Sequence, residues 1–415
     1  MRTVPIDLPK LGVDLLASET AIDRKAVRAA DNIDIGDTGE FSTRVGHTVV
    51  QPGTGFHSMH HTDRTTLVVK NANVYAYNAD TNTPHLIMEL PYPELVEFTD
   101  YNGHVYFTAS SGTWWLPSDE FIPRPVGSNP PDVLPNVTPA TTGTLTAGKY
   151  VVGVSVVDDR DEESAMVVVG QVELTESGGI RLAGMAPELV GRWRVYITPP
   201  DGEELYLAEE FSRSFGEYVV TSQPDGAIRR TQYLAPMPGG QFIRGRNGRL
   251  YVASGDTLWF SEPLRPHLRD ARHGYIKFVG QIRFIEPVEE GMFVGDDRGV
   301  WFMAGDDPTN TKMRLMHPAR AVKRSSTLIA GSHFGDDVTQ SDRYHALWLS
   351  TEGYVLGHPS GNITPLQPER VRIADGLEGR TRFLTRDGLR QVITLIATAD
   401  NFGYGLAIDS VGELQ

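Results

Sequence analysis

The amino-acid sequence predicts an all-β protein: a β-propeller of about six to seven irregular blades, interrupted by an immunoglobulin- or fibronectin-like β-sandwich. Three observations lead to this prediction. The 42 glycines and 27 prolines divide the 415 residues into short runs rich in β-branched and aromatic side chains. Polar and apolar residues alternate in these runs with period two, and helical periodicity is nowhere sustained. A turn-and-strand cassette also recurs along the chain, with a stretch of different character between its copies.

The composition limits the classes of function. The 38 Lys and Arg against 53 Asp and Glu give a net charge of -15, which argues against a general nucleic-acid binder because neutralising phosphates needs clustered cations. The same charge suits the wall of a DNA conduit, since a positive wall would hold the passing DNA. The absence of cysteine excludes disulfides and fits a reducing cytoplasm. No run approaches the ~18 apolar residues of a membrane span, so we expect a protein made in the cytoplasm that does not cross a membrane.

The recurring cassette consists of turn, strand, turn and strand. It is complete twice, starting at Asn102 and at Asn247, and looser copies start at Asn71, Glu290 and Glu352. In each copy a pair of turn residues precedes an aromatic strand, and a cluster of Gly, Asp or Asn precedes the next strand. Each cassette therefore predicts the core of one antiparallel meander.

Meanders of this size cannot bury their apolar faces alone, and a propeller with ~40 to 50 residues per blade is the usual way for them to pack. The alternative is a set of ordinary hairpins in one large β-sandwich, which the irregular spacing of the cassettes supports. In the propeller, six aromatic side chains would fill the space between blades. These are Tyr106, Trp114, Tyr251, Trp259, Phe293 and Trp301.

Residues 128–238 interrupt the cassette pattern. This region opens with a proline-rich linker and covers about 110 residues, close to the ~100 of an immunoglobulin-like domain. We expect evenly spaced strands in it near residues 148–157, 165–174, 192–198, 204–209 and 217–221. Because the cassette resumes afterwards, we expect an inserted domain between two parts of one propeller, 26–127 and 239–415. Residues 1–25 have little periodicity, and we expect an N-terminal arm that reaches an adjacent subunit or a connector.

Two polar clusters could in principle bind an ion. His57, His60, His61 and Asp63 are the residue types that ligate a divalent metal, but a strand would place His60 on the opposite face from His57 and His61. The acidic stretch 158–163 offers oxygen ligands for calcium at a hairpin tip, but it lacks the glycine and spacing of a calcium loop. A polar hairpin and a solvated turn are therefore the favoured interpretations, and we predict no metal or cofactor.

The adjacent residues Trp114 and Trp115 are the candidate glycan contacts. Neighbouring residues of a strand point to opposite faces of the sheet, so one of the two indoles must face away from the core. An exposed indole can stack on a sugar ring. The alternative is that both faces of the strand are covered, one by a neighbouring blade and one by a partner subunit. The chain has no GxSxG, HExxH or phosphate-binding glycine motif, so we predict that it is not an enzyme and has no catalytic residues.

Three segments spread over most of the chain share a pattern with one family of proteins. They are residues 27–35 with Gly39 and 44–47, residues 145–150 running to Asp158 and 163–164, and residues 250–266, the best match. Together they resemble bacteriophage virion proteins of the tail hub or nozzle type, sometimes called stabilisation proteins. The first and third segments are similar to propeller strands of that family, and the second is similar to the start of its inserted immunoglobulin-like domain.

The resemblance implies a structural protein of the virion tail, made in the host cytoplasm. It implies a ring of identical subunits, about six, below the portal or its adaptor and around the channel through which phage DNA leaves. DNA would pass through transiently and without specific contacts. Two other functions stay open: a tail-tip module that binds a receptor or glycan and, less favoured, a propeller glycosidase or lyase.

Overall fold

The computed structural model describes residues 11, 13–30, 33–35, 40–43, 52–78, 83–186, 191–333, 343–367, 370–386 and 389–398. This part of the chain is built of β-strands with two 3₁₀ turns, Pro308–Asn310 and Gly331–His333, and it contains no α-helix, which confirms the predicted all-β class. None of its helical turns could span a membrane. Residues 1–10 and 12 of the predicted arm, and Gly39 and 44–47 of the family resemblance, lie outside the described residues.

Two four-stranded antiparallel sheets precede the interrupting region. A short ribbon comes first and contains β1 (Ile33–Ile35) and β2 (Phe41–Thr43). Sheet A contains β3 (Phe56–His61), β4 (Thr66–Lys70), β5 (Asn73–Asn78) and β6 (Thr83–Glu89). Sheet B contains β7 (Glu97–Tyr101), β8 (His104–Ala109), β9 (Gly112–Leu116) and β10 (Arg124–Pro125).

The interrupting region forms a unit of two sheets that face each other across one apolar core. Its seven strands are β11 (Asn136–Leu145), β12 (Gly148–Val157), β13 (Val167–Leu174), β14 (Gly178–Ala183), β15 (Arg192–Ile197), β16 (Tyr206–Ser212) and β17 (Glu217–Val220). One sheet has the order β11-β14-β17 and the other β13-β12-β15-β16. The core between them includes Tyr150, Ile180 and Trp193, all fully buried.

The rest of the chain forms three more four-stranded sheets and two ribbons. The first ribbon pairs β18 (Leu234–Pro236) with β22 (Leu268–Asp270). Sheet C contains β19 (Phe242–Arg246), β20 (Arg249–Ser254), β21 (Thr257–Phe260) and β23 (Tyr275–Lys277). Sheet D contains β24 (Phe284–Val288), β25 (Gly291–Asp296), β26 (Gly299–Ala304) and β27 (Lys312–His317). Sheet E contains β28 (Thr327–Ala330), β29 (Tyr344–Ser350), β30 (Gly353–Gly357) and β31 (Ile363–Pro365), and sheet F is the ribbon of β32 (Leu377–Arg386) and β33 (Leu389–Thr398).

Each of the five cassettes lies in a different four-stranded sheet. The two complete copies turn through Asn-Gly pairs in which both residues have positive φ, 51° and 78° at Asn102 and Gly103 and 47° and 75° at Asn247 and Gly248. These angles are those of a type I′ turn, whose twist matches that of a hairpin. In sheets B, C and D the cassette joins the first three strands, and in sheets A and E it begins one strand later.

Consecutive sheets share apolar cores. In sheet B, Phe107 packs against sheet A while its neighbour Tyr106 packs against sheet C, as the strand period of two requires. Cores of the same kind join C to D, D to E and E to F. The aromatic residues expected between blades lie in these cores, where Tyr106, Tyr251 and Phe293 are buried and Trp114, Trp259 and Trp301 are partly buried.

The described part of the N-terminal arm lies against its own chain. The Leu11 N–H donates to Lys25 O at 2.9 Å, which folds the segment back on itself. The Leu15 N–H donates to Arg370 O at 2.9 Å, and the Arg370 guanidinium donates to Leu11 O at 2.8 Å. Hydrogen bonds to Arg370, which follows sheet E, therefore hold this segment in place. Its expected contact with an adjacent subunit stays a prediction.

Candidate functional site

The histidines of the 57–61 strand do not converge. A β-bulge separates His57 from His60, with φ +51° at Ser58, and each ring has a partner of its own. Within the described ranges no three His, Cys, Asp or Glu residues are grouped so that they could hold a metal ion. The contacts are His57 Nε2 to Asn71 O at 3.0 Å, His60 Nε2 to Asp100 Oδ2 at 3.1 Å, and His61 Nδ1 to Thr66 Oγ1 at 2.9 Å.

The acidic loop 158–163 is a turn, as expected, with Asp159 and Asp161 exposed, and it also forms an ion-paired junction. Asp159 accepts two hydrogen bonds from Arg124, at 2.7 and 3.1 Å, and Arg124 belongs to sheet B. Inside the two-sheet unit, Asp161 pairs with Arg192 and Glu163 pairs with Arg194. Three of the carboxylates in this stretch, those of Asp159, Asp161 and Glu163, are therefore committed to guanidinium groups.

The tryptophan pair is covered by sheets of its own chain, on both sides of sheet B. Trp114 is partly buried in the core shared with sheet A, and Trp115 is only 7% exposed in the core shared with sheet C. Trp115 also lies 6.2 Å from the Tyr106 ring and 5.7 Å below the Arg160 guanidinium. Glycan binding here stays a prediction, and the exposed part of Trp114 is the indole surface that a sugar could reach.

Six charged side chains on, or just ahead of, the first strands of sheets B to F meet in one cluster, called here the first-strand cluster. It begins with Arg244 on β19, whose guanidinium donates to Glu97 on β7 at 2.9 Å and to Glu286 on β24 at 2.7 and 3.2 Å. Arg380 on β32 donates to the second oxygen of Glu97 at 2.6 Å. The members are Glu97, Arg244, Glu286, Arg324, Glu378 and Arg380.

Burial and pairing oppose each other in this cluster, and pairing prevails. Burial disfavours the Glu97 carboxylate, but Arg380, Arg244 and Arg324 lower its pKa to about 2. Burial and then Arg380 lower the pKa of Arg324 to about 10, although Glu97 and Glu378 favour its charged form. Burial also opposes the charge of Arg244, yet Glu286 and Glu97 raise its pKa above the usual range. All three groups are therefore charged at neutral pH.

Sequence reasoning missed the first-strand cluster. Glu97, Arg244 and Glu286 each stand a few residues ahead of a cassette turn, directly beside a buried apolar residue of the same strand, and their charges alternate in sign. A lone charge at an apolar strand position is a sign that a partner of opposite charge lies nearby, because isolated buried charges are strongly unfavourable. The alternating signs were the available signal.

The junction between the two-sheet unit and sheets B and C has a second arginine. Arg160 donates to Glu120 at 2.8 Å, and the same Glu120 accepts from Arg124 at 2.8 Å. On the sheet C side, Gly127 has φ +91°, and a Cβ there would lie 2.2 Å from His267 O. The chain at Gly127 therefore passes so close to the β18–β22 ribbon that only glycine fits.

Glu162 and His267 face each other within this junction. Glu162 Oε1 lies 3.8 Å from His267 Nδ1, and their side chains are 20% and 15% exposed. Burial, with the negative charge of Asp158, raises the pKa of Glu162 to about 7. Burial, with the positive charge of Arg265, lowers the pKa of His267 to about 4. Both directions have the same cause, since the junction disfavours any net charge that lacks a partner.

No protein-family model matches the sequence, and none of the curated proteins compared with it is similar. Among solved structures, the N-terminal domain of Nup159 is similar at 9% identity and a TM-score of 0.30, over 83% of this chain and 73% of that one. The extracellular domain of the one-component-system protein BT4673 from B. thetaiotaomicron has 8% identity and a TM-score of 0.21, over 85% and 63%. A chain of the Mitotic Checkpoint Complex has 9% identity and a TM-score of 0.20, over 70% of this chain and 82% of that one. The function must therefore be inferred from the chain's own residues.

Proposed function

We propose that this chain is a structural component of a bacteriophage virion, a tail nozzle or hub subunit in a ring around the DNA exit channel below the portal or adaptor. Its fold in this proposal is a β-propeller with sheets A to F as blades and an inserted immunoglobulin-like domain. Seven strands in a three-stranded and a four-stranded sheet around one core have the strand count of an immunoglobulin-like sandwich, although the strand order differs from that of a constant-type domain, and this count supports the second part.

The observation that carries the proposal is the fastening of the inserted unit to the sheets. Arg124 of sheet B pairs with Asp159 of the inserted unit, Arg160 of the inserted unit pairs with Glu120 ahead of β10, and the chain at Gly127 lies against the β18–β22 ribbon. Sheets A to F are joined by successive cores, and the first-strand cluster links sheets B, C, D and F with the segment just ahead of sheet E. Sheets A to F and the inserted unit would therefore move as one rigid body, which a subunit of a load-bearing ring requires.

Replacing Arg124 with glutamine is expected to loosen the inserted unit while leaving both parts folded. The change removes both hydrogen bonds to Asp159 and the bond to Glu120. Limited proteolysis should then cut the 128–135 linker several-fold faster than in the wild type, because cleavage follows local opening. The matched control is Arg181→Gln, which removes an exposed ion pair with Glu217 inside the inserted unit. Equal cleavage rates for both variants would contradict a fastened junction.

An antibody against the purified chain is expected to label the tail of phage particles, close to the capsid. Electron microscopy of labelled particles makes the measurement, and an antibody against a major capsid protein is the positive control. Unlabelled particles would overturn the virion assignment. Label at the far tip would favour the receptor- or glycan-binding alternative, and saccharide binding that is lost in Trp114→Ala would strengthen it.

A further inference from the structure

Leu264 is an apolar side chain held out into solvent by an unfavourable turn. It is 82% exposed, and its φ is +57°. The Arg265 N–H donates to Glu262 O at 3.2 Å, which closes a turn with Pro263 and Leu264 at its centre. Proline followed by a residue of positive φ is the pattern of a type II turn, which normally takes glycine or asparagine at the second position. A leucine in this conformation destabilises the fold by about 1 kcal/mol, and because its side chain is exposed it gains no stabilising burial in exchange.

The turn that carries Leu264 is anchored on sheet C. The Leu264 N–H donates to Gly248 O at 2.7 Å, and the Glu262 N–H donates to Leu268 O at 2.7 Å. A Cβ at Gly248 would lie 3.0 Å from Leu264 Cδ2, so the leucine rests against the turn between β19 and β20. A strained conformation that is anchored in this way points to a function outside the fold itself.

A cavity of about 400 Å³ lies among the N-terminal segment, sheets D and E and the 371–372 loop. Leu16, Val355, Pro365 and Val371 give it an apolar side. The two buried polar residues that line it, His317 and Ser350, are already paired, as described next. The other lining residues include the charged Glu352 and Arg372, and a cavity of this size that combines an apolar side with a few polar groups is a typical binding site.

The paired state of these polar groups matters because an apolar guest would remove their water. The Ser350 hydroxyl donates to Gly353 O at 2.8 Å and accepts from the Glu352 N–H at 3.0 Å. Nδ1 of His317 accepts from the Ala319 N–H at 3.2 Å. Filling the apolar side of the cavity with a leucine side chain therefore leaves these atoms with their partners.

We propose that Leu264 of one copy of this chain enters the 371–372 cavity of a second copy. The charges near the two sites are complementary: Glu262 and Arg265 stand on either side of the Pro263-Leu264 turn, and exposed Arg372 and Glu352 line the cavity. Four exposed or half-exposed charges can thus form two pairs of opposite sign across the contact. The proposal rests on the proposed ring and names the surfaces through which its copies meet.

The positions of the two sites determine the kind of assembly. Leu264 lies beside the turn that follows the first strand of sheet C, and the cavity lies beside the 351–352 turn that follows the second strand of sheet E. These turns are at opposite ends of their sheets, so one copy uses two different surfaces. The contact is head-to-tail, and such contacts build a ring when the rotation between copies closes.

Changing Leu264 to asparagine tests the first surface. Asparagine tolerates positive φ, so the unfolding temperature should stay equal or rise, while self-association should weaken about 10- to 100-fold because a buried leucine is lost. Analytical ultracentrifugation measures the association. The control is Val279→Asn, which removes another apolar side chain, 73% exposed, from a different place on the surface and should leave association unchanged.

A mixing experiment tests both surfaces together. Val371→Trp fills the cavity, so this variant and Leu264→Asn should each be monomeric alone and should form dimers, and nothing larger, when mixed. If either variant associates like the wild type, or if the mixture stays monomeric, this docking contact is wrong while the ring can still stand. A wild-type chain that is monomeric at its highest soluble concentration also overturns it, and unlabelled phage particles would overturn the ring as well.

Discussion

Replacing Glu97 with glutamine is expected to lower the free energy of unfolding by about 3 to 5 kcal/mol at pH 7, because breaking a buried ion pair leaves its partners uncompensated. Three partners are affected. Arg244 at 2.9 Å and Arg380 at 2.6 Å lose a hydrogen-bonded carboxylate, and Arg324 at 3.7 Å loses a countercharge. Denaturant unfolding followed by circular dichroism measures the change.

Two comparisons show whether this loss comes from buried charge. Glu217→Gln removes a carboxylate from an exposed pair with Arg181 and should change stability by less than about 1 kcal/mol. The second comparison is pH. Since the folded pKa of Glu97 lies at about 2, below its usual 4.5, its stabilising effect is present above pH 4.5 and is lost as pH falls toward 2. The difference in unfolding free energy between wild type and Glu97→Gln should therefore become smaller as the pH falls from 4.5 to 2. A difference that is independent of pH would contradict the ionic explanation.

The same cluster bears on how the sheets are held in register. Apolar cores between consecutive sheets fix which faces meet, but they are tolerant of small slips along the strands. Arg244 contacts Glu97 in sheet B and Glu286 in sheet D at once, and Ser326 ahead of sheet E donates to Glu286 at 2.9 Å. Directional contacts of this kind tie the heights of neighbouring first strands to one another, which stiffens the centre of the molecule.

Much of the strand pattern could be predicted from the sequence, and the exceptions have identifiable causes. The strand expected at 148–157 forms as β12 over the same residues, because an alternating apolar run is a local signal. Strands β11 and β14 were not expected. Pro139 in β11 is tolerated because β11 is an edge strand. Gly179 in β14 is required because a Cβ there would lie 2.3 Å from Thr142 O. Proline and glycine usually indicate loops. Here Pro139 lies in an edge strand, and Gly179 lies where two stretches of backbone come close together.

The polar clusters show the limit of reading spacing alone. The acidic stretch 158–163 was recognised as a cluster, but its partners Arg124 and Arg192 lie about 30 residues away on either side, and only the fold brings them together. Leu264 was part of a segment noted for its family resemblance, yet a sequence does not reveal a positive φ at leucine. The sequence shows where charged and apolar residues occur. Only the tertiary structure shows which charges find a partner and which apolar side chains stay exposed.

Replacing Glu162 with glutamine is expected to stabilise the protein at pH 8 by up to about 3 kcal/mol, the opposite of the Glu97 result. The folded carboxyl has a pKa of about 7 against its usual 4.5, so it binds its proton more tightly than the unfolded chain does. Its contribution to stability is complete below pH 4.5 and is lost as pH rises through 7. Glutamine resembles the protonated form and avoids that loss.

The measurement is the unfolding free energy of both proteins from pH 4 to 8, and the groups around Glu162 decide how it is interpreted. The gain should be near zero at pH 4 and largest at pH 8. His267 acts in the opposite sense, since its lowered pKa of about 4 removes stability as pH falls below 6.5, so the comparison is repeated in a His267→Asn background. The charged or titratable neighbours are Asp158, Arg124, Arg160, His267 and Tyr106. An effect of equal size at pH 4 and 8 would mean that glutamine alters packing at the junction, and that a buried carboxylate does not limit its stability.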